Sequence, residues 1–225
     1  MAPSNAPITE PASDEHKLVA YVAEPKGKAR GGIVVIQEIF GVNSHIRSVA
    51  DGFAAGGYLA IAPAMFDRVQ RNFDVGYTPE DIAKGREIRG KVSTDMAMKD
   101  AQAAINEAAK AGKVGIVGYC WGGFVAWMAA NKLSGLACSV PYYGGGILDN
   151  TDVAPKVPLM GHFGEKDQHI PVAGVKKLAE KYPQHQIFIY EADHGFNCDH
   201  RGSYNAPAAK QARERTLGFF RKHVG

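Results

Sequence analysis

Short apolar runs bounded by glycine or polar residues recur along the chain, and between them apolar positions return at helical spacing. "GGIVVIQEIFG" predicts a buried strand from Ile33 to Gln37 that ends in a glycine turn. In "SHIRSVADGFAAGGY" the positions Ile46, Val49, Ala50 and Phe53 share one helical face, and Gly56-Gly57 predicts the stop. "YLAIAP" is a second buried strand, followed by an irregular stretch from 64 to 76. Thr78-Pro79-Glu80-Asp81 then has the chemistry of a helix start, with a threonine cap, proline in the first turn and acids facing the helix dipole. A further helix is predicted over 94–111, with Ala97, Ala101, Ala104, Ile105 and Ala108 on one face. "KVGIVGY" is a third strand with the helix "GGFVAWMAANKL" behind it. "LACSVPYYG", "VPLMGHFG" and "QIFIYEA" continue the series, a helix over 172–181 separates the last two, and "APAAKQARERTLGFFRKH" closes the chain as an amphipathic helix.

Continuous apolar strands alternating with helices predict an α/β fold, a mostly parallel sheet covered on both faces. No linker or internal repeat interrupts residues 18–225, which are expected to form one domain. Residues 1–17 are polar and Pro-rich and predict a disordered tail. With 225 residues, 45% of them hydrophobic and 22% charged, the chain can fill a sizeable core. The formal charge of +3 is dispersed among residues of both signs, which disfavours a nucleic-acid or membrane surface. No apolar run resembles a signal peptide or reaches the length of a membrane span, so a cytoplasmic protein is expected. The cysteines at 120, 138 and 198 are odd in number and widely spaced, which predicts free thiols.

In parallel sheets ligands sit beyond the carboxyl ends of the strands. Five predicted strand ends carry candidate chemistry: Gln37-Glu38-Ile39, Tyr119-Cys120-Trp121, Tyr142-Tyr143, Glu165-Lys166-Asp167 and Asp193-His194. Gly118-Tyr119-Cys120-Trp121-Gly122 has the spacing of a nucleophile elbow, with cysteine where serine is usual. A cysteine by itself is more often a core residue. Here Cys120, Asp167 and His194 follow one another in the order nucleophile, acid, base, each after a predicted strand, and this favours a nucleophile. His194 is then the base and Asp167 fixes its tautomer. The backbone N–H groups of Ile39 and Trp121 are the candidate oxyanion hole. His162 lies within a strand and is expected to be a satisfied core residue, and Cys138 is expected to be buried and inert. His194, Cys198 and His200 form H-x3-C-x-H, but no second cluster supplies further ligands, so no metal and no cofactor are expected.

"VVIQEIFGVNSHIR", "GIVGYCWGG", "HFGEKDQHIP", "DHGF" and "ERTLGFF" resemble the dienelactone hydrolase family, from about Gly31 to the last helix. The resemblance implies an α/β-hydrolase fold and a Cys120–His194–Asp167 triad acting on a small-molecule ester or lactone. It also implies that Glu38 takes the thiol proton, and it places Phe40 and Tyr143 at pocket positions. Members of that size need no partner to complete the site, so a monomer is the expectation. The members that open dienelactone hold its carboxylate with arginines, one of them shortly after the catalytic histidine. In "HGFNCDHRGSYN" Cys198 stands at that place and Arg201 is the first arginine, while Arg86 and Arg89 lie before the long helix. Arg201 is therefore the candidate for substrate binding. Three readings follow: a dienelactone-type hydrolase, a carboxylesterase for uncharged esters on the same frame, or a redox-sensing thiol protein without turnover.

Overall fold

The computed structural model describes residues 4–8 and 12–225. Among the described residues eight strands form one sheet: β1 (Ser4–Pro7), β2 (Val19–Ala23), β3 (Gly32–Ile36), β4 (Leu59–Pro63), β5 (Val114–Tyr119), β6 (Leu136–Tyr142), β7 (Met160–Gly164) and β8 (Gln186–Tyr190). Their order across the sheet is β1-β2-β4-β3-β5-β6-β7-β8. β3 through β8 run parallel, and β1 and β2 are antiparallel additions beside β4. Six α-helices lie among the described residues: α1 (Ser44–Ala55), α2 (Pro79–Gly90), α3 (Thr94–Ala108), α4 (Trp121–Lys132), α5 (Val172–Lys181) and, after the last strand, α6 (Ala206–His223).

Both faces of the sheet are covered, as the continuous apolar strands predict. On β3, Gly32 lies against Ala108 of α3, whereas the next residue, Ile33, shares with Gly115 the face packed by Phe220 of α6. Successive residues of a strand point to opposite faces, so α3 and α6 lie on opposite sides. α1 joins α6 through Phe53 and Phe220, whose ring centroids are 5.6 Å apart. Thr78 and Asp81 make the reciprocal capping box that opens α2. The helix predicted over 94–111 is α-helical to Ala108 and tightens into a 3-10 turn over Ala109–Ala111, a common way for a last turn to end.

The N-terminal segment differs from the predicted tail. Ser4–Pro7 pair with β2, Ile8 and Ala12 are buried, and both Asp14 oxygens accept from the Arg68 guanidinium at 2.9 Å. Polar composition removes the side-chain incentive to fold but leaves the backbone able to pair with the open edge of β2. Residues 1–3 and 9–11 of that predicted tail lie outside the described residues. Among the described residues no helix is long and apolar enough to cross a membrane.

Beneath the carboxyl end of the sheet His162 is fully buried. Its Nδ1 bonds the Tyr190 hydroxyl at 2.8 Å and its Nε2 the Thr216 hydroxyl at 3.1 Å. Burial, with a smaller push from Arg215, lowers its pKa to about 3. The folded value lies below the unfolded one, so the unfolded chain gains a proton first on acidification. The stabilisation is complete above the unfolded pKa of about 6.5 and is lost as the pH falls toward 3. Denaturant melts at pH 6.5 and 5 should therefore show wild type losing roughly 2 kcal/mol more than His162→Gln. Equal losses would mean that His162 is not held neutral.

Candidate active site

The strand ends converge above the sheet. Cys120 caps α4 with φ 55° and ψ −117°, a left-handed conformation that costs a side-chain-bearing residue of order 1–3 kcal/mol. The bend is held by Cys120 N–H, which donates to the Tyr142 carbonyl at 3.1 Å, and by the Cys120 carbonyl, which accepts from Gly123 N–H at 2.9 Å. Strand and helix approach so closely that a Cβ at Gly118 would run into the Gly122 carbonyl, and one at Gly122 into the carbonyls of Ile36 and Gln37. The glycine spacing read from the sequence is thus a steric requirement of this turn. Trp121 lies in the first turn of α4, whose amides have no intrahelical acceptor. Its side chain is buried against Phe66, with centroids 5.2 Å apart.

Cys120, half-exposed, has its Sγ 3.1 Å from His194 Nε2. His194 Nδ1 lies 2.7 Å from Asp167 Oδ2, and Asp167 Oδ1 accepts from the His169 backbone N–H at 2.8 Å. Asp167 is buried, on the loop after β7. Burial pulls the His194 pKa down, but hydrogen bonds to Asp167 and Cys120 and the charges of both more than offset it, raising it to about 10. These contacts favour the protonated, imidazolium form of His194. The His169 ring stands edge-on to His194 at 5.4 Å between centroids. Cys138 is fully buried, and burial pushes its thiol up to about 12.

Glu38 follows β3 and is fully buried. Arg201 Nη1 donates to its Oε1 at 3.3 Å, whereas Oε2 has no hydrogen-bond partner. The hydrogen bonds thus run Cys120–His194–Asp167 on one side and Glu38–Arg201 on the other. Arg201 reaches Glu38 across Gly195, where φ is +78° and a Cβ would overlap the guanidinium. The same guanidinium lies 5.7 Å from the Phe40 ring centroid. Phe40 and Tyr143 are both buried. Tyr143 turns its ring edge toward His194 at 5.2 Å, and its buried hydroxyl has no partner. Arg86 and Arg89 are both exposed on α2.

The irregular stretch after β4 packs against the loop that carries Glu38. Met65 N–H donates to Gln37 Oε1 at 3.1 Å, and Val75 N–H to the Phe40 carbonyl at 3.1 Å. A group that the sequence reading did not assemble lies behind Glu38: His45, Tyr77 and Cys198, drawn from three segments. Asn43 bonds the Tyr77 hydroxyl at 3.0 Å, and His45 Nδ1 lies 3.2 Å from Asp199 Oδ1. No spacing in the sequence announces this group.

A parallel sheet with antiparallel strands at one edge, helices on both faces and a strained turn after β5 is the α/β-hydrolase fold. Residues 18–224 match the profile of the dienelactone hydrolase family. A Synechocystis protein named "Putative carboxymethylenebutenolidase" is 38% identical over 92% of this chain and 93% of its own length. The structure of a "Putative Dienelactone Hydrolase" from Klebsiella pneumoniae superposes with a TM-score of 0.84 at 30% identity, over 99% of this chain and 100% of that one. A dienelactone hydrolase-like promiscuous phosphotriesterase from metagenomic libraries shares the fold, with a TM-score of 0.78 at 20% identity over 100% and 99% of the two chains. The chain belongs to the dienelactone hydrolase family and is a hydrolase.

Proposed function

We propose that this hydrolase cleaves esters and lactones through a Cys120 thiolate and a thioester intermediate. The observation that carries the reading is the chain of short contacts from Cys120 Sγ through His194 to Asp167, 3.1 Å and 2.7 Å, at a strained elbow. The thiolate attacks the carbonyl carbon, and the oxygen that gains the charge is held by the N–H groups of Ile39 and Trp121. As the carbon–oxygen single bond of the ester breaks, His194 Nε2–H gives its proton to the departing oxygen. Now neutral, His194 takes a proton from water, which attacks the thioester. The acid leaves and the thiolate–imidazolium pair is restored. Asp167 holds Nδ1 protonated throughout.

Glu38 assists by accepting the thiol proton in enzyme molecules whose cysteine is protonated, a role open to it when Arg201 turns away. A carboxylate on the substrate is the natural competitor for that arginine, because both ligands are anionic and accept from the same planar donor. Phe40 and Tyr143 shape the acyl pocket beside it. The substrate class is tested by hydrolysis of dienelactone and of a neutral aryl ester by wild type and Arg201→Ala. The variant should lose about tenfold to 100-fold more kcat/KM on the carboxylate-bearing lactone than on the neutral ester, the worth of a hydrogen bond to a charged group. Equal losses would assign uncharged esters as substrates. Absence of turnover on both by wild type would leave a sensing thiol in place of a hydrolytic one.

A further inference from the structure

We propose that Glu38, His45 and Cys198 form a binding site for a divalent transition-metal ion of the zinc class. All three residues are buried, and one ligand atom from each lies within 4.8 Å of the other two. Two of these residues present polar atoms with no other use: neither Glu38 Oε2 nor His45 Nε2 has a hydrogen-bond partner. Buried polar atoms are ordinarily satisfied, so two unpartnered ones, with a thiol alongside, point to a shared missing neighbour.

The donor set is specific. A thiolate, an imidazole nitrogen and a carboxylate oxygen are the ligands zinc takes, and three protein ligands leave the fourth tetrahedral position to water. His45 is already oriented for the task. Its Nδ1 is 3.2 Å from Asp199 Oδ1, the carboxylate–histidine arrangement that leaves Nε2 with its lone pair free for a metal. Charge balances as well. The ion and Arg201 are matched by Glu38, Asp199 and a Cys198 thiolate. Metal–ligand lengths of about 2.0–2.3 Å place tetrahedral ligand atoms roughly 3.5 Å apart, so binding draws the three together by about 1 Å. A surface hollow bordered by His45, Ser48, Asn197 and Asp199 gives a route inward.

An ion there holds the Glu38 carboxylate as a ligand and removes it as an acceptor for the thiol proton, so bound metal would slow turnover. That consequence rests on the role proposed above for Glu38, whereas the site itself does not. Titration of Co2+ into the reduced full-length protein, read by the thiolate-to-cobalt charge-transfer band, tests the site. Wild type and Cys120→Ala should both show the band at one ion per chain, Cys198→Ala should lack it, and Zn2+ should bleach it. His45→Gln, checked for an unchanged far-ultraviolet spectrum, should bind about tenfold to 100-fold more weakly. A band absent from wild type, or retained in Cys198→Ala, or lost in Cys120→Ala, would overturn the proposal. A normal band accompanied by undiminished ester turnover would leave the metal site standing and overturn the role of Glu38.

Discussion

Replacing Cys120 with alanine is expected to reduce kcat/KM for ester and lactone substrates by about 10^4-fold or more, the scale on which nucleophiles of hydrogen-bonded catalytic groups act. The fold should be unaffected. Alanine keeps the Cβ and therefore the same strain at φ 55°, and the backbone bonds to Tyr142 and Gly123 do not involve the sulfur. The thermal midpoint should move by no more than about 4 °C, a change of about 1 kcal/mol or less. Turnover by the variant and its melting curve check both halves. Wild type should also accumulate a thioester, visible as an acyl mass increment on the peptide containing Cys120 when the reaction is quenched. An alanine variant within tenfold of wild type would remove Cys120 from the chemistry and leave its left-handed conformation without a catalytic explanation.

The interior of the fold was legible because its strands are buried on both faces. β3, β4 and β5 are short continuous apolar runs, and nothing but a covered parallel sheet accommodates such runs at those intervals. β2 is partly exposed and runs antiparallel beside β4, so "VAYVA" carried no comparable signal next to a polar segment. The attachment of the segment around Asp14 was hidden for another reason. It depends on Arg68, whose guanidinium also binds Asp100, and the three residues are far apart in the chain.

The residues of the elbow were legible because sterics dictate them. Arg201 shows the opposite case. The sequence places it three residues past Cys198, which stands where the resemblance expects an arginine. The side chain nevertheless crosses Gly195 and reaches Glu38, since a long flexible arm sets its guanidinium by the space available and not by the position of its Cα. Cys198 occupies the backbone position and Arg201 the space beside Glu38. His45 was illegible for a related reason. It lies in the first turn of α1, where a histidine ordinarily meets water, and the loop carrying Cys198, Asp199 and His200 buries it.

Asp167→Asn is expected to lower kcat by about 10^4-fold while preserving the shape of the site, because an amide cannot replace both functions of this carboxylate. Asp167 Oδ1 accepts from the His169 backbone N–H at 2.8 Å, and Oδ2 accepts from His194 Nδ1 at 2.7 Å. Asparagine has one oxygen. If it serves the His169 amide, the NH2 group faces Nδ1 and must donate to it. His194 then carries its proton on Nε2, the nitrogen 3.1 Å from Cys120 Sγ, and can no longer accept one there. The opposite rotamer restores the His194 contact but sets two donors, the NH2 group and the His169 amide, against each other. Either choice also removes the negative charge that helps to raise the His194 pKa to about 10, so the imidazolium titrates at lower pH. The pH dependence of Cys120 alkylation reads this, since a His194 that is less readily protonated supports the thiolate less and the variant should need a higher pH than wild type for the same alkylation rate. Turnover within tenfold of wild type, with an unchanged alkylation profile, would mean that the carboxylate holds the loop and takes no part in orienting the base.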